Sequence, residues 1–417
     1  MISFKSFEES LKYPLDKEFP PLETPDLDKW GRSEFLHLAF TALLEFATTH
    51  GRLPELNNQE EAEAYSKLVL EVHQENKNKM DIEGAAKVDE INDSLLNIAK
   101  NIALFARTNL TTHVSFWGGI VAQEIVKFTG KFMPIRQWLH YENFELLPEG
   151  PVDRTLTDCR YDDQIAVYGK EFQEKLMKQK YFLVGAGALG CEFIKMFALM
   201  GLACGKDGKL TVTDDDNIEI SNLNRQFLFR KENVGQSKSQ TAAEVGKSMN
   251  PHLNVDALKL RVAPENEEVF NDEFWEGLDA VTNAVDNVHA RLYVDGRCVF
   301  YAKHLFESGT LGTKCNSQVI VPFYTQSYGE SQDPPEESIP LCTLKNFPYQ
   351  IEHTIQWARD FFEGTFVEGP NECNKYLESP SKYIESVRKE LRERQSLLRQ
   401  RVRTYFLNLF ILIHNSA

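Results

Sequence analysis

The sequence lacks the features that mark several classes of protein. None of its seven cysteines forms a Cys-x-x-Cys pair, so there is no zinc signature. Asp and Glu number 62 against 46 Lys and Arg, and the net charge of -16 argues against a general nucleic-acid binder, which needs clustered cations. The most apolar run, Tyr405 to Ile413, is far too short to span a bilayer. We therefore expect neither a nucleic acid nor a membrane among the partners.

The same absences bear on where the protein works. The cysteines are odd in number and scattered along the chain, which suits a reducing compartment. The N-terminal residues contain no long apolar core before their first acidic residues, so no signal peptide is visible. From these two observations we expect the protein in the cytoplasm and nucleus.

One stretch, from Lys180 to Asp216, organises the rest of the chain. Its first part, Tyr181 to Val184, is a short apolar run typical of a buried parallel strand. Gly185, Gly187 and Gly190 follow at the G-x-G-x-x-G spacing. In this pattern the first glycine permits a tight turn, the second lets a phosphate approach the backbone, and the third lets the next helix pack closely on the sheet.

The residues after the glycines complete a nucleotide-binding unit. A helix over about residues 188 to 202 would direct free N–H groups and a partial positive charge at whatever lies over the glycines. A second strand, residues 209 to 213, ends in Asp214, where an acidic residue can hydrogen-bond a ribose. Strand, glycine turn, helix, strand and terminal acid together favour a nucleotide site over an ordinary turn.

Alternating strands and helices predict the fold class. Beyond the first two strands we expect helices over residues 237–249, 265–275 and 288–302, and strands over 253–260, 278–284 and 316–322. This alternation specifies an α/β fold with a doubly wound, mostly parallel, Rossmann-like sheet. Helical periodicity within residues 33–49, 59–74 and 88–106 predicts an α-helical bundle before the sheet. Between the two, residues 116–127 are typical of a helix and 132–147 of a strand, and a further amphipathic helix is expected over 351–362.

The residues near the glycine turn favour ATP over a dinucleotide. Arg225 and Lys238 would place two fixed positive charges near the phosphates. Asp286, at the carboxyl end of a later strand, is where Mg²⁺ could be held. NAD needs neither a second cation nor a metal-binding acid, whereas ATP needs both. On the residues alone, an NAD-dependent dehydrogenase stays the alternative, and each residue has an ordinary reading: Asp214 as a cap, Arg225 in a surface ion pair and Lys238 as a solvated lysine.

These segments closely resemble the active adenylation domain of eukaryotic ubiquitin-activating enzymes, of the ThiF/MoeB-like adenylating family. The matching segments are the glycine turn 185–190, the acids 214–216, Ser-Asn-Leu-Asn-Arg-Gln-Phe-Leu-Phe at 221–229, Lys238, Asp286-Asn287 and residues 308–314. The helices up to Arg107 resemble the four-helix bundle of these enzymes, and residues 116–149 the end of their inactive adenylation domain. Residues 334–348 are similar to their catalytic-cysteine segment.

The resemblance implies a division of the chain. It gives a connecting segment 1–25, a four-helix-bundle-like domain 26–110, the C-terminal part of an inactive adenylation domain 111–150, the active adenylation domain 160–325, the start of a catalytic-cysteine domain 326–380 and a divergent basic and apolar tail 381–417.

The resemblance also implies an activity. Ubiquitin-activating enzymes use ATP and Mg²⁺ to adenylate the C-terminal carboxylate of ubiquitin, take the acyl group onto a cysteine as a thioester, and pass it to a ubiquitin-conjugating enzyme. Carried over residue by residue, the catalytic cysteine is Cys342 and the Mg²⁺ ligand is Asp286. The implied ATP-binding residues are Gly185, Gly187, Ala188, Asp214, Asn222, Arg225, Gln226, Lys238, Asp286 and Asn287.

Three departures from the family pattern bear on activity. The front half of the inactive adenylation domain has no counterpart, the match fades after about Leu377, and Cys315 stands where the family usually has glycine. From these departures we expect thioester formation to be incomplete in this chain. Two alternatives stay open: an activator of another ubiquitin-like modifier, and a non-catalytic pseudo-enzyme that binds ATP or ubiquitin.

Overall fold

A computed structural model describes residues 3–15, 27–78, 82–130, 132–311, 314–331, 351–384 and 386–388. The chain divides into two compact units, residues 1–332 and 333–417. In the first unit the helices are α1 (Phe7–Lys12), α2 (Arg32–His50), α3 (Gln59–Lys77), α4 (Asp93–Phe105), α5 (Thr111–Val126), α6 (Asp162–Tyr168), α7 (Lys170–Lys178), α8 (Ala188–Met200), α9 (Lys238–Met249), α10 (Asp272–Glu276) and α11 (Val288–Phe300). The strands are β1 (Lys180–Val184), β2 (Lys209–Thr213), β3 (Val255–Leu258), β4 (Ala280–Asn283), β5 (His304–Leu311) and β6 (Lys314–Ile320).

Helices α2, α3 and α4 form the bundle that helical periodicity predicts. Their apolar faces meet in one buried core, which includes Phe35, Phe46 and Ile102. Tyr65 of α3 is fully buried there, and its hydroxyl donates a hydrogen bond of 2.6 Å to the backbone carbonyl of Ala39. A buried hydroxyl without such a partner would cost free energy, so this bond fixes how α3 packs against α2.

The six strands form one sheet in the order β3-β2-β1-β4-β5-β6. All neighbours are parallel except β5 and β6, which pair antiparallel. The register places Tyr181 opposite Leu210 on one side and opposite Ala280 on the other. Strand β1 is therefore central. The chain adds β2 and β3 on one side of β1 and then crosses back to add β4, β5 and β6 on the other side, so the strand order reverses between β1 and β4.

Both faces of the sheet are covered, as a doubly wound fold requires. Tyr181 and Leu183 of β1 pack into a core with residues of α8 and α9. The alternate residues Phe182 and Val184 pack into a second core that contains Trp275 of α10 and residues of α11. Successive side chains of a strand point to opposite faces, so an apolar strand is buried on both sides. The predicted fold class is confirmed.

Two expected elements are wrong. Residues 132–147 contain no strand and only a short 3₁₀ turn at Phe144–Leu146. This segment is held by side chains instead: the Gln137 amide exchanges two hydrogen bonds with the backbone of Lys5, and the Trp138 indole donates to Ser10 O. No strand of the described residues pairs with it, so its aromatic and apolar residues do not form a strand.

The second correction concerns the helix expected over residues 265–275. The structure has a 3₁₀ turn at Pro264–Asn266 and then the short α10. Asn271 interrupts the helix because its side chain accepts a hydrogen bond from Phe274 N and caps a new one. Asparagine is favoured at this capping position and not inside a helix.

The second unit, described by itself, contains α12 (Ile351–Phe362), a π-helical turn (Glu363–Glu368) and α13 (Gly369–Glu378). The expected helix over 351–362 is confirmed. Among the described helices, none combines the length and apolar character that crossing a bilayer requires. Cys342 and the basic and apolar tail from residue 389 lie outside the described residues.

Candidate nucleotide-binding site

A cavity of about 910 Å³ opens at the carboxyl ends of the central strands. Ligands of open α/β sheets bind at this edge, where the strand order reverses. The cavity is lined by all ten residues to which sequence analysis assigned ATP binding: Gly185, Gly187, Ala188, Asp214, Asn222, Arg225, Gln226, Lys238, Asp286 and Asn287. The structure thus brings these ten together, and it does not describe the eleventh predicted site residue, Cys342.

The glycine turn has a separate steric reason at each position. Gly185 has a φ of +100°, and a Cβ there would lie 2.5 Å from Ala284 O. A Cβ on Gly190 would lie 2.2 Å from Gly185 O, so only glycine lets α8 approach the turn this closely. A Cβ on Gly187 would meet only the Gln226 side chain, at 3.8 Å, and so would occupy free space at the cavity wall. This is the position at which the pattern lets a phosphate approach the backbone.

Asp214 ties the glycine turn to the end of β2. One carboxylate oxygen accepts a hydrogen bond of 2.7 Å from Ala186 N, and the other accepts one of 2.9 Å from Asp216 N. Burial raises the pKa of the Asp214 carboxyl, while these two donors and the nearby charge of Lys238 act in the opposite direction. Asp214 does cap the following segment, and each of its oxygens keeps a second lone pair for a ligand hydroxyl.

The two predicted phosphate-binding cations differ in environment. Lys238 is 8% exposed, and its ammonium group forms an ion pair of 2.7 Å with Asp216, so the reading as a solvated lysine is wrong. Arg225 is exposed and donates to Ser221 O and to the Asn224 side chain. Within the described residues Arg225 has no ion-pair partner, so the reading as a surface ion pair is also wrong. It offers the cavity a positive charge that no carboxylate of the described residues neutralises.

Two amides lie between these cations. Asn222 is buried, and its side-chain oxygen accepts a hydrogen bond of 2.9 Å from Glu219 N. Gln226 is 4% exposed, and its Oε1 has no hydrogen-bond partner among the described residues. Buried amide oxygens are nearly always paired, so this unpaired oxygen beside the cavity is an exception.

Five acidic residues line the cavity, and three of them form a cluster. Asp214, Asp215 and Asp216 offer carboxylate oxygens within 4.8 Å of one another. Asp216 is paired with Lys238, and Asp215 is paired with Arg261 at 3.0 Å. Asp286 is exposed and stands apart from this cluster, just after β4. The next residue, Asn287, caps α11 by accepting a hydrogen bond of 2.8 Å from Ala290 N.

Sequence reasoning missed five charged or titratable residues that line the cavity, namely Arg261, Glu265, His289, Arg291 and Tyr293. Arg261 follows the carboxyl end of β3, and the rule that ligands bind at that edge of the sheet would have found it. His289 and Arg291 lie in the first turn of α11, next to the predicted Asp286. No motif of the sequence marks them, because their approach to the cavity depends on how α11 packs on the sheet.

The residues present fit Mg²⁺ and ATP. Gly187 with its open wall, Gln226, and Arg225, which has no carboxylate partner among the described residues, all line one cavity. The 13-residue helix α8 begins at Ala188 on the same wall, and the N-terminus of a helix favours anions. Asp286 supplies the carboxylate oxygen that Mg²⁺ prefers.

Comparisons with known proteins identify the family of this chain. The sequence model of the ThiF family matches residues 161–404, more than half of the chain, and that of the ubiquitin-activating enzyme E1 four-helix bundle matches residues 1–73. Ubiquitin-like modifier-activating enzyme 1 of Oryctolagus cuniculus is 48% identical over 390 residues, which cover 92% of this chain and 35% of that protein. Ubiquitin-activating enzyme E1 2 of Arabidopsis thaliana is 46% identical over 392 residues, which cover 93% of this chain and 35% of that protein. The chain therefore spans about a third of the length of these curated relatives.

Proposed function

This chain belongs to the ThiF family, and we propose that its cavity binds Mg²⁺ and ATP for adenylation of the C-terminal carboxylate of ubiquitin. The observation that carries the proposal is the convergence of the glycine turn, Arg225, Lys238 and Asp286 on one cavity of nucleotide size. An NAD site would use the glycine turn and Asp214, but it needs neither a second fixed cation nor a metal-binding acid such as Asp286.

Different residues around the cavity would serve different parts of the adenylation reaction. Attack of a carboxylate on the α-phosphate builds negative charge on the phosphate oxygens, which fixed cations stabilise without reorganisation. Lys238 is suited to this role because burial and Asp216 hold its ammonium group in place. Arg225 would supply a second charge, and Asp214 would accept a hydrogen bond from a ribose hydroxyl. When bound by Asp286, Mg²⁺ would neutralise phosphate charge and orient the leaving pyrophosphate.

We further propose that Cys342 receives the acyl group as a thioester and that a ubiquitin-conjugating enzyme takes it from there. A thiolate is a good acyl acceptor at neutral pH. This part of the proposal is supported by the resemblance of the segment around Cys342 to the family's catalytic-cysteine segment and by the relatives named as ubiquitin-activating enzymes. An activator of another ubiquitin-like modifier would use the same cavity and stays the alternative.

Calorimetric titration of the 417-residue chain tests nucleotide binding. We expect Mg·ATP to bind and NAD not to bind. Arg225→Ala should weaken ATP binding by roughly tenfold or more, since a charge-assisted hydrogen bond contributes about 1.5–3 kcal/mol. Arg230→Ala is the matched control, because Arg230 lies further along the same segment and does not line the cavity. Binding of NAD in preference to ATP would overturn the adenylation proposal in favour of a dehydrogenase.

Pyrophosphate exchange and thioester formation test the chemistry. The reacting groups must be held at near-attack distance, and a small misplacement can cost about a hundredfold in rate. Because this chain spans about a third of its relatives' length, we expect it to bind ATP but to form no ubiquitin adduct alone. A chain extended with the relatives' remaining segments should form a reductant-sensitive adduct that Cys342→Ala abolishes. Robust exchange and a Cys342-dependent adduct in the 417-residue chain would refute the expected dependence on further segments.

We also propose that the protein works in the cytoplasm and nucleus. The six described cysteines are all free thiols, which supports a reducing compartment. A fluorescently tagged chain confined to a secretory compartment would contradict this.

A further inference from the structure

A buried ion pair lies beside the nucleotide cavity and is not part of the predicted site. Glu307 of β5 is 1% exposed and Arg291 of α11 is 9% exposed, and their side chains are hydrogen-bonded. Asn283, at the end of β4, donates a hydrogen bond of 2.7 Å to the other carboxylate oxygen of Glu307. Burying two charges costs desolvation, so such a pair is weak evidence of a stabilising role. The backbone groups that the pair holds in place are a better guide to its role.

Arg291 holds two backbone carbonyls as well as Glu307. It donates a hydrogen bond of 2.6 Å to Ser308 O and one of 2.5 Å to Val285 O. Val285 belongs to the turn between β4 and α11, and Asp286 is the next residue. A guanidinium group suits this task because it presents several donors in one rigid plane. One side chain thereby ties β5, the turn after β4 and α11 together.

The tied turn is the part of the cavity wall that carries the proposed Mg²⁺ ligand. Val285, Asp286, Asn287 and Arg291 all line the cavity. Asp286 is itself exposed, and no hydrogen bond or ion pair of its own side chain is found in the described part of the chain. The position of its carboxylate therefore depends on the backbone of the turn, which Arg291 holds at Val285 O.

We propose that Arg291, fixed by Glu307, is a positioning residue that sets the 285–287 turn and so places Asp286 for metal-dependent nucleotide binding. The proposal rests on the proposed function, in which Asp286 holds Mg²⁺. Residues that orient a metal ligand typically affect metal affinity by about 10–100-fold when they are changed. A pair that only fastened α11 to β5 would affect stability and leave the metal dependence of binding unchanged.

The test compares two conservative variants of the full chain. Arg291→Lys keeps the charge but loses the planar set of donors. Arg297→Lys is the matched control: Arg297 lies on the same helix and is paired with Glu267, but it does not line the cavity. ATP binding is measured by calorimetry with excess Mg²⁺ and again with a chelator, and backbone amide exchange of residues 284–290 is measured in the nucleotide-free chain.

We expect Arg291→Lys to weaken ATP binding by roughly tenfold with Mg²⁺ and to leave binding in the chelator unchanged. Amide exchange of residues 284–290 should become faster in this variant, and Arg297→Lys should behave as the original chain in all three measurements. Glu307→Gln should show the same pattern, and it serves as the decisive variant if Arg291→Lys does not fold.

Two results would overturn the proposal. Unchanged amide exchange of residues 284–290 in both variants would show that the pair does not hold the turn. Equal weakening with and without Mg²⁺ would show a general structural role. If the original chain binds no ATP, the proposed function fails by itself, and the exchange measurement still decides whether Arg291 fixes the turn.

Discussion

The three glycines of the turn should respond differently to the same added methyl group. A Cβ on Gly190 would lie 2.2 Å from a backbone carbonyl oxygen, Gly185 O, which cannot move aside as a flexible side chain could. Overpacking of this kind costs about 1–3 kcal/mol, and we expect Gly190→Ala to lie at the upper end. At roughly 2–4 °C per kcal/mol for a domain of this size, the melting temperature should fall by about 6–12 °C.

Gly185→Ala combines two costs. The φ of +100° is unfavourable for a residue with a Cβ, at about 1–3 kcal/mol, and the new atom would lie 2.5 Å from Ala284 O. We therefore expect this variant to be at least as unstable as Gly190→Ala.

Gly187→Ala should separate binding from stability. The φ of -75° is accessible to alanine, but the ψ of -149° lies outside the favoured regions, while the nearest atom to the new Cβ is Gln226 Nε2, at 3.8 Å. Because Gly187→Ala adds backbone strain but no steric clash, we expect its melting temperature to fall less than that of Gly190→Ala. The methyl group would occupy the place where a phosphate meets the backbone, and losing one charge-assisted hydrogen bond of about 1.5–3 kcal/mol weakens binding by roughly tenfold or more.

Thermal unfolding and calorimetric titration with Mg·ATP on the three variants check these expectations. The reasoning would be refuted if Gly187→Ala bound ATP as tightly as the original chain, or if it were destabilised as much as Gly190→Ala. Either result would mean that the free space at Gly187 does not serve a phosphate.

Two further predictions concern the helical bundle and the segment packed on it. Burial lowers the pKa of both His37 and His140, the latter to about 4. Below pH 6.5 the unfolded chain therefore binds more protons than the folded chain. The free energy of unfolding should fall as pH drops from about 6.5 towards 4, by up to about 3 kcal/mol. The stacked Trp138 reports this by fluorescence, and His140→Gln should flatten the pH profile; an equally steep profile would place the titration elsewhere. Tyr65→Phe should cost about 1 kcal/mol in urea unfolding, because it removes the buried hydrogen bond to Ala39 O, and no loss would indicate that this bond adds nothing.

The sequence was sufficient for the nucleotide-binding unit because its signals are local. The apolar run of β1, the glycine spacing and Asp214 after β2 predict a strand, a turn and a terminal acid within some thirty-five residues. The carboxyl ends of parallel strands meet at one edge of the sheet, and so Arg225 and Asp286 could be assigned to one site although they are far apart in the chain. The structure brings them to one cavity.

Other features depended on residues that meet only in the folded chain. Nothing local predicted that Lys238 would be buried against Asp216 or that Arg291 would pair with Glu307, because each pair joins separate elements. The segment 132–147 shows the converse. Its composition is typical of a strand, but a strand exists only where a neighbour completes its hydrogen bonds, and within the described residues the Gln137 and Trp138 side chains bind the N-terminal segment instead. Secondary structure near the glycine turn follows from the sequence. The charge pairs that hold the site together were decided by tertiary packing, because the partner of a side chain depends on which other elements the backbone brings next to it.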